Sequence, residues 1–495
     1  MKLSKFSKVE SVTNGLTVLS QSVTINQIFG DRRLQTIAEF LATPRETQSV
    51  ISYASQFYNS QEVNALIKML TEGSFLAQSE NDQIFNYIMP EAENRKRRYR
   101  LLRILLTDVC NLNCSYCKVM PNIADVTKHA TSPENLDRAV RIFFEGSEAL
   151  TPKIIHISGG EPLIAWDRIQ YIISLIEAYR RPNERYFVVV GTNALLVDED
   201  RARFFADHGI KAIVSMDGRQ KIHDTLRRSH AGKGSFQQVD AGVRLLNQYG
   251  VELGLSMVIG KHNVEHLIPE IAYMLEEYRP VSLGVNYMKP PTKERIDFPH
   301  LIQPGEYVEA MYEAFRTFRE TGLFFELVYR RIHPFITKKF RYHDCGAAAG
   351  TTINMDAKGN VGPCKSFLVL NTLTQIITEP QSCSTKLPVL NSLQKRSPVY
   401  IDECQKCSAI GTCGNACAYE AWVQSGDMMS RDMRACNYTQ LFFQKFIDDL
   451  AEIVKAEVEN SSFYEPTKSD RLKLLGKIVV NEDTLSSSIG HAADE

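Results

Sequence analysis

The sequence predicts an α/β protein: a partial (β/α)6 TIM-like barrel, with a winged-helix-like domain before it and a small cysteine-rich domain after it. Three observations predict this architecture. Short apolar runs alternate with amphipathic segments through residues 101–325. A turn pair followed by helical patterns occupies residues 1–90. Residues 340–440 hold many cysteines and few long periodic segments, so we expect metal to hold this part together.

The composition excludes several classes of protein. Of the 495 residues, 44% are hydrophobic and 23% are charged, which is typical of a globular chain and not of a disordered, collagen-like or coiled-coil one. Lys and Arg number 57 and Asp and Glu 58, a net charge of −1, so we expect no nucleic acid or anionic membrane as partner. No run is long enough to span a membrane, and the first residues lack the apolar core of a secretion signal. We therefore expect a cytoplasmic protein with reduced thiols.

The first domain, residues 1–90, begins with a predicted hairpin. Polar and apolar residues alternate on both sides of Asn14 and Gly15, a strong turn pair. Helical patterns follow over residues 34–41 and 62–71, and Gly73 is placed to end the second helix. A hairpin followed by helices and a returning strand is a winged-helix arrangement.

The barrel is predicted from six β-then-α units in residues 101–325, which imply parallel strands with right-handed crossovers. The apolar runs are residues 101–106, 154–158, 186–190, 212–216, 253–259 and 281–287. The helical patterns are residues 133–146, 167–179, 199–208, 236–249, 264–278 and 306–321. Asp198 and Ser235 stand where helix N-caps are needed. In such folds the chemistry lies on loops at the C-terminal ends of the strands.

Two segments lie outside these domains. Residues 91–100 are rich in Arg and Lys and are predicted to be a solvated linker, although a contact for an acidic peptide or a nucleic acid also fits. Residues 441–458 are predicted to be a helix. From about Glu459 to residue 495 the chain is polar, and we expect a partly mobile tail.

The cysteines carry most of the functional information. There are eleven, and an odd number argues against a disulfide framework. None precedes Cys110, three fall within residues 110–117, none lies in residues 118–344, and eight lie in residues 345–436. Such crowding at short spacing indicates metal ligation.

The first cysteine group, Cys110, Cys114 and Cys117, follows the first barrel strand with the spacing C-x3-C-x2-C. Three thiolates can hold three irons of a cubane [4Fe–4S] cluster and leave the fourth iron open to a small chelating cofactor. A zinc site with a remote fourth ligand is the alternative for this triplet.

With Tyr116 before its last cysteine, this triplet resembles the radical S-adenosylmethionine superfamily. Further residues that match the superfamily in order, and that the resemblance makes cofactor-binding, are Gly159, Gly160, Glu161, Thr192, Asn193, Ser215 and Arg227. The glycines are expected to let backbone carbonyls approach the ammonium group of S-adenosylmethionine, with charge pairing from Glu161. Arg227 is expected to pair with the carboxylate of that cofactor, or to form a surface salt bridge.

The second cysteine set resembles the SPASM domain of radical enzymes that modify peptides and proteins. Its members are Cys345, Cys364, Cys404, Cys407, Cys413, Cys417 and Cys436. The resemblance implies two auxiliary [4Fe–4S] clusters, three clusters in all. Cys345, Cys364 and Cys417 are implied to ligate the nearer one, which leaves an open iron or an unnamed ligand, and the other four to ligate the farther one. A zinc ribbon is the alternative for this spacing, and Cys383 is predicted to have no role.

The resemblance implies an oxidoreductase-type radical enzyme for peptide maturation. An electron donor such as flavodoxin or ferredoxin would reduce the first cluster, a 5′-deoxyadenosyl radical would form, and it would remove hydrogen from the substrate. The hairpin–helix domain looks like the leader-peptide recognition domain of ribosomal-peptide (RiPP) biosynthesis, although it could merely cover the barrel. The expected product is a thioether or C–C cross-link in a precursor peptide; epimerisation and backbone excision belong to the same class.

Two other functions remain open from the sequence. One is a protein maturase of the anaerobic sulfatase type, disfavoured because Lys365 follows Cys364 where those relatives carry an Asp. The other is a zinc-stabilised binding protein without catalysis, for which the barrel would serve as a scaffold.

Overall fold

The computed structural model describes residues 1–89, 99–117, 130–147, 152–291, 295–369 and 392–479. Most of the predicted basic linker and Cys383 lie outside these ranges. No helix within them is both long and apolar enough to cross a bilayer.

The N-terminal domain is a three-stranded antiparallel sheet covered by three helices. The strands are β1 (Ser7–Ser11), β2 (Thr17–Gln21) and β3 (Asn26–Gly30), and the helices are α1 (Arg32–Phe40), α2 (Thr47–Ala54) and α3 (Ser60–Glu72). β1 and β2 pair with Ser11 opposite Thr17, so the hairpin predicted around Asn14 and Gly15 is present, and Gly15 adopts φ +83°. The prediction missed α2.

The barrel strands and helices alternate as the sequence predicts. The strands are β4 (Leu101–Leu105), β5 (Lys153–Ser158), β6 (Tyr186–Thr192), β7 (Lys211–Ser215), β8 (Leu253–Ile259) and β9 (Ser282–Tyr287). The helices are α4 (Pro133–Glu145), α5 (Trp166–Tyr179), α6 (Glu199–Asp207), α7 (Gln220–Leu226), α8 (Phe236–Gln248), α9 (Leu267–Tyr278) and α10 (Pro304–Phe318). Asp198 caps α6 through Arg201 N, as predicted, but Ser235 makes no side-chain cap. The carboxylate of Asp224 accepts the first backbone N–H groups of α8 instead.

The six barrel strands are parallel and run in chain order across an open sheet. The sheet has more strands than predicted at both edges. At one edge β10 (Phe324–Phe325) pairs with β9, and at the other β11 (Thr352–Met355) and β12 (Val361–Gly362) continue the sheet beyond β4. Alternate residues such as Leu102 and Ile104 are buried against the helices in the main core. Their neighbours, such as Arg103, face the opposite side of the strand, which is the lumen.

The cysteine-rich region follows α11 (Glu326–Thr337), and its helices within residues 340–369 and 392–432 are short. These are α12 (Gly346–Ala349), α13 (Lys365–Val369), α14 (Ile410–Cys413) and α15 (Ala418–Ser425). The chain then returns along α16 (Met433–Ser461), which starts before the predicted helix and includes Cys436.

The segment after Glu459 differs from the polar tail expected from the sequence. β13 (Phe463–Tyr464) pairs antiparallel with β3, and α17 (Lys468–Leu472) follows. Arg471 is fully buried and donates to the Gln27 side chain at 2.6 Å. The C-terminal part of the chain therefore joins the N-terminal sheet.

Candidate active site

The loop that carries Cys110, Cys114 and Cys117 is fixed by backbone contacts with the glycines after β5. Gly160 N donates to Thr107 O at 2.7 Å, and Glu161 N donates to Val109 O at 2.8 Å. A Cβ atom at Gly160 would stand 2.2 Å from Val109 O. Glycine is therefore needed for the approach of the cysteine loop itself, and the cofactor contact expected from the sequence stays a prediction.

Glu161 connects the ends of two strands. Its buried carboxylate accepts from Thr192 Oγ1 at 2.6 Å and from the backbone N of Asn193 at 2.7 Å. Burial raises the pKa of Glu161 to about 7, although these hydrogen bonds oppose the shift. The amide of Asn193 donates in turn to Asn111 Oδ1 at 2.6 Å, which reaches into the cysteine loop. The three predicted residues thus form one hydrogen-bonded unit.

Tyr116 and Arg227 meet on a carboxylate that the prediction did not include, Asp217. The hydroxyl of Tyr116 donates a hydrogen bond to Asp217 at 2.7 Å, and Arg227 binds the same carboxylate through Nε at 2.8 Å and Nη2 at 3.1 Å. Burial alone would raise the pKa of Asp217, but the Arg227 charge lowers it well below its usual range. Arg227 also carries a charge close to Cys114. Arg227 and Asp217 form a buried ion pair rather than a surface salt bridge. The contact of Arg227 with a cofactor carboxylate stays a prediction.

The segment after α7 supports the other side of the cysteine loop. Asn113 N donates to Arg228 O at 2.7 Å, and Ser115 N donates to Leu226 O at 3.0 Å. The ring of His230 lies 3.0 Å from Cys110 O. The residues around Arg227 therefore hold the shape of the loop that carries the thiols.

The ten cysteines in the described ranges are free thiols, and the structure brings them together in three groups. Cys110, Cys114 and Cys117 are close enough for their charges to interact. Burial raises the pKa of Cys110 to about 12 and that of Cys114 to about 11. Buried thiols of this kind become thiolates when a metal supplies the compensating charge.

The second group contains Cys345, Cys364 and Cys417, whose charges also interact. Burial raises the pKa of Cys364 to about 12. Cys345 and Cys417 each precede a short helix, α12 and α15, so each thiol stands beside free backbone N–H groups. These are the three residues that the sequence assigned to the nearer auxiliary cluster.

The third group contains Cys404, Cys407, Cys413 and Cys436. The sharp backbone turn between Cys413 and Cys417 separates it from the second group. Gly414, Asn415 and Ala416 adopt consecutive positive φ angles of 66°, 55° and 40°. Such a run is strained for the two non-glycine residues. It allows cysteines only four positions apart to join different groups.

Buried arginines hold the cysteine-rich region together. Arg331, 1% exposed, binds both carboxylate oxygens of Asp344 at 3.0 and 2.9 Å and donates to Cys413 O at 2.9 Å. Arg396, also 1% exposed, donates to Met428 O at 2.7 Å and to Asn415 O. The sequence analysis gave no role to either residue.

The donor sets of the three groups fit iron–sulfur clusters. Three, three and four thiols stand in separate groups, all partly exposed except Cys404, and in a cubane each thiolate binds a different iron. No three His, Cys, Asp or Glu side chains within the described ranges converge on a point that one metal ion could occupy.

Lumen-facing residues lie beside the second thiol group. Arg103, opposite His156 in the parallel register, is close enough to Cys345 and Cys364 for their charges to raise its pKa against the effect of burial. Ser215, predicted to contact the cofactor, lies at the end of β7 beside Ser256 of β8. Asp217, Arg103 and His156 could have been suspected as polar residues within or just after strands, but nothing local in the sequence shows that they share one face.

Comparison with known proteins agrees with this geometry. Residues 104–274 match the Radical SAM superfamily. The matched segment, which contains strands β5 to β8 and the cysteine triplet, is therefore a radical SAM domain. Relatives of this kind use S-adenosylmethionine and a [4Fe–4S] cluster, and the triplet in the cysteine loop lies within the matched segment.

Two curated relatives cover different shares of the chain. It is 20% identical over 459 residues to the radical SAM cyclopropyl synthase TigE of Paramaledivibacter caminithermalis, across 87% of this chain and 92% of TigE. It is 27% identical over 203 residues to the cysteine-type anaerobic sulfatase-maturating enzyme of Clostridium novyi, across 40% of this chain but only 54% of that enzyme.

Two solved structures share the fold. One is anSMEcpe with bound AdoMet and Cp18Cys peptide, with a TM-score of 0.60, 18% identity, and coverage of 74% of this chain and 99% of the other. The second is SuiB of Streptococcus suis bound to its precursor peptide SuiA, with a TM-score of 0.50, 14% identity, and coverage of 88% and 99%. These likenesses extend the fold match beyond the barrel.

Proposed function

We propose that this radical SAM enzyme modifies a precursor peptide and that the product is an intramolecular thioether or C–C cross-link. The observation that carries the proposal is the grouping of the thiols. One group stands at the mouth of the barrel, and a second stands where the lumen meets the cysteine-rich region. A substrate in the lumen would lie between a site that starts radical chemistry and a site that accepts an electron.

The residues of the barrel mouth would hold the cofactors in this proposal. Cys110, Cys114 and Cys117 would bind the first cluster. When bound there, S-adenosylmethionine and this cluster supply a 5′-deoxyadenosyl radical, which removes hydrogen from an unactivated C–H bond. The chain contributes position and exclusion of water, through the Glu161 unit and the Asp217 network.

The auxiliary sites are proposed to hold two further [4Fe–4S] clusters. Four thiols complete the set for the farther one. The nearer one has three, Cys345, Cys364 and Cys417, so one iron would bind another ligand or a group of the substrate. Loss of a second electron from the substrate is what turns hydrogen removal into bond formation, and these clusters would accept that electron.

The N-terminal sheet is proposed to bind the leader segment of the precursor. Sheet edges bind extended peptides through backbone hydrogen bonds. In the order β1-β2-β3-β13, the far edge of β3 is covered by the chain's own β13, which leaves the outer edge of β1. Lys8 of β1 donates to Lys406 O at 3.0 Å, so this edge lies beside the cysteine-rich region. SuiB bound to SuiA is a fold neighbour that binds a precursor peptide.

The test is a reaction with the peptide encoded beside the gene for this protein. Enzyme reconstituted without oxygen is reduced by flavodoxin or ferredoxin, the donors expected in the cytoplasm, and mixed with S-adenosylmethionine and that peptide. A mass loss of two hydrogens with 5′-deoxyadenosine formation is the expected result. If the peptide mass is unchanged in ordinary water but the peptide incorporates deuterium when the reaction is run in D₂O, the enzyme catalyses epimerisation. If the mass is unchanged in both solvents, the result would contradict peptide modification.

A second candidate is maturation of a sulfatase-type protein, which the Clostridium novyi relative favours. It would require a base near the substrate cysteine, and Lys365 occupies the position after Cys364 where those relatives carry an Asp. A sulfatase peptide converted at its cysteine, with the adjacent-gene peptide unchanged, would decide for this candidate.

A further inference from the structure

The lumen wall near the second thiol group carries a paired guanidinium and imidazole. Arg103 lies in the middle of β4, and His156 is its register partner on β5. Arg103 Nε donates to His156 Nδ1 at 2.9 Å. Both side chains are nearly buried, at 8% and 7% exposure. Arg103 thus orients His156 through Nε, and its two terminal nitrogens can bind another partner.

This hydrogen bond fixes the tautomer of His156. Because Nδ1 accepts, the proton of the neutral ring lies on Nε2. Burial first, and then the charges of Arg103 and Lys365, lower the pKa of His156 well below its usual range, so the ring stays neutral. A Cβ atom at Gly191 would stand 3.1 Å from Nε2, and glycine there leaves the N–H uncovered.

Arg103 has no carboxylate partner within the described part of the chain. Its hydrogen bond to His156 is the only one that its side chain makes there. The negative groups that influence its charge are the thiols of Cys345 and Cys364 and, more weakly, Glu326. Glu326 already pairs with Arg330 at 3.6 Å. A buried guanidinium in this state is costly unless an anion joins it.

The other side chains around this position add positive charge. Lys365, exposed and next to Cys364, is near enough to His156 to influence its pKa. Lys289 and Glu420 pair with each other at 3.6 Å and so contribute no net charge. The two charged groups that influence His156, Arg103 and Lys365, are thus both positive.

The opposite wall leaves room for a substrate residue. On β8 and β9 the lumen-facing positions include Ser256, Gly284 and Asn286. A Cβ atom at Gly284 would meet nothing closer than 3.6 Å, and Asn286 is exposed. Small residues facing a basic wall form a cleft that accepts an extended chain with one acidic group.

We propose that Arg103, with the Nε2–H of His156 and the charge of Lys365, binds a carboxylate of the peptide substrate in the lumen. The guanidinium edge and the imidazole N–H match the two oxygens of a carboxylate. The acidic group would be an Asp or Glu side chain, or the C-terminal carboxylate of the peptide. This inference rests on the proposed function for its peptide, but the binding site itself requires no turnover.

The test is zero-length coupling of a carboxylate to lysine. The loaded enzyme is mixed with deuterated N-acetyl-Ala-Ala-Asp-Ala-amide and a water-soluble carbodiimide, and each labelled lysine is counted by mass spectrometry. A second probe, N-acetyl-tetra-Ala with a free C-terminus, distinguishes the two sources of carboxylate. Lys358, exposed on the turn between β11 and β12 and outside the lumen, is the matched control.

We expect Lys365 to be labelled about tenfold more than Lys358, with saturation as the probe concentration rises. Arg103→Gln should remove this excess and leave Lys358 unchanged, and Arg103→Lys should restore part of it. If Arg103→Gln loses its iron on purification, the wild-type protein decides the matter. Its labelling ratio should fall when unlabelled N-acetyl-Ala-Ala-Glu-Ala-amide is added and should not fall with N-acetyl-Ala-Ala-Asn-Ala-amide.

Equal labelling of Lys365 and Lys358 by both probes would overturn the proposal. So would a tenfold excess that survives Arg103→Gln, because Lys365 would then act without the pair. A changed reduction potential of the nearer cluster in Arg103→Gln, with unchanged labelling, would assign Arg103 to the cluster instead. Labelling of Lys365 without any peptide modification would support this site and reject the proposed function. Peptide modification without excess labelling of Lys365 would reject this site and support the proposed function.

Discussion

The two cysteine-bearing regions of the molecule are held in place in different ways. The loop of Cys110, Cys114 and Cys117 is supported by backbone hydrogen bonds from both sides, from Gly160 and Glu161 on one and from Leu226 and Arg228 on the other. The cysteine-rich region instead relies on a few buried arginines and on loops with strained φ angles. The first region is part of the barrel, whereas the second is attached to it.

This difference indicates which part of the enzyme needs its metal to fold. Parallel strands and helices bury a large apolar core around the first loop, so its shape is set before any cluster binds. The short helices of the second region bury much less, as the small cluster of Phe367, Leu393 and Tyr419 shows. We expect iron to be a cofactor in the first region and also a structural element in the second.

The largest expected effect separates the two regions by activity. Cys114→Ala should abolish 5′-deoxyadenosine formation, because the first cluster loses a ligand. Cys436→Ala should keep that activity and lose the peptide product, because only the farther auxiliary site is damaged. Chromatography of 5′-deoxyadenosine and mass spectrometry of the peptide measure both. If Cys114→Ala still cleaves the cofactor, the assignment of the loop is wrong.

Removal of iron should separate the two regions by stability. In chelated protein, amide hydrogen exchange in residues 392–436 should accelerate by about a thousandfold, the equivalent of about 4 kcal/mol. Strands β4 to β9 should keep their protection because their core contains no ligand. Exchange measured by mass spectrometry on apo and loaded protein provides the test. Equal loss of protection in β5 and in residues 392–436 would contradict the comparison.

The arginines of the second region should matter more than any surface arginine. Arg331→Met removes the bidentate partner of Asp344, although Arg330 and Arg341 still pair with Asp344 at 2.8 and 3.3 Å. We therefore expect a loss of about 1.5–3 kcal/mol, the range for hydrogen bonds to a charged group. Arg244→Met is the control, since Arg244 is half-exposed and pairs with Asp240 on the surface. We expect the control to lose less than about 1 kcal/mol. Denaturant unfolding of the loaded enzymes measures both, and equal losses would refute the role of Arg331.

The smallest expected effect concerns pH and the first region. The pKa of Glu161 is raised to about 7 in the folded state, so the native protein holds a proton that the unfolded chain releases above pH 4.5. The stability that this group contributes is therefore lost as pH rises through about 7.

Comparison with Glu161→Gln isolates this contribution. Between pH 5.5 and 7.5, wild type should lose about 1–2 kcal/mol relative to the variant, with no further change above that range. Denaturant unfolding without S-adenosylmethionine, repeated across this range, measures the difference. A constant difference between the two proteins would show that Glu161 is ionised throughout.

The sequence predicted what depends on local spacing. The alternation of strands and helices, the turn at Gly15 and the cysteine groups all follow from patterns within short stretches, aided by family resemblance. The pattern did not predict a further reason for one glycine: Gly160 admits the backbone of Val109.

What the sequence could not predict depends on contacts between distant residues. Asp217 meets Tyr116 across 101 positions, and Arg331 meets Cys413 across 82. The sequence predicted a polar tail where β13 lies, because two residues are too few to show the alternation of a strand. Pairing with the edge of β3 makes them a strand. Arg103 and His156 share a face through strand register, which is fixed by the whole sheet.

The most direct test of the account is electron paramagnetic resonance of a variant that lacks the auxiliary ligands, with Ala at Cys345, Cys364, Cys404 and Cys436. The account predicts about four irons per chain, the signal of one reduced [4Fe–4S] cluster, and a clear change in that signal when S-adenosylmethionine is added. A protein without that cluster, or a signal that the added cofactor leaves unchanged, would contradict it.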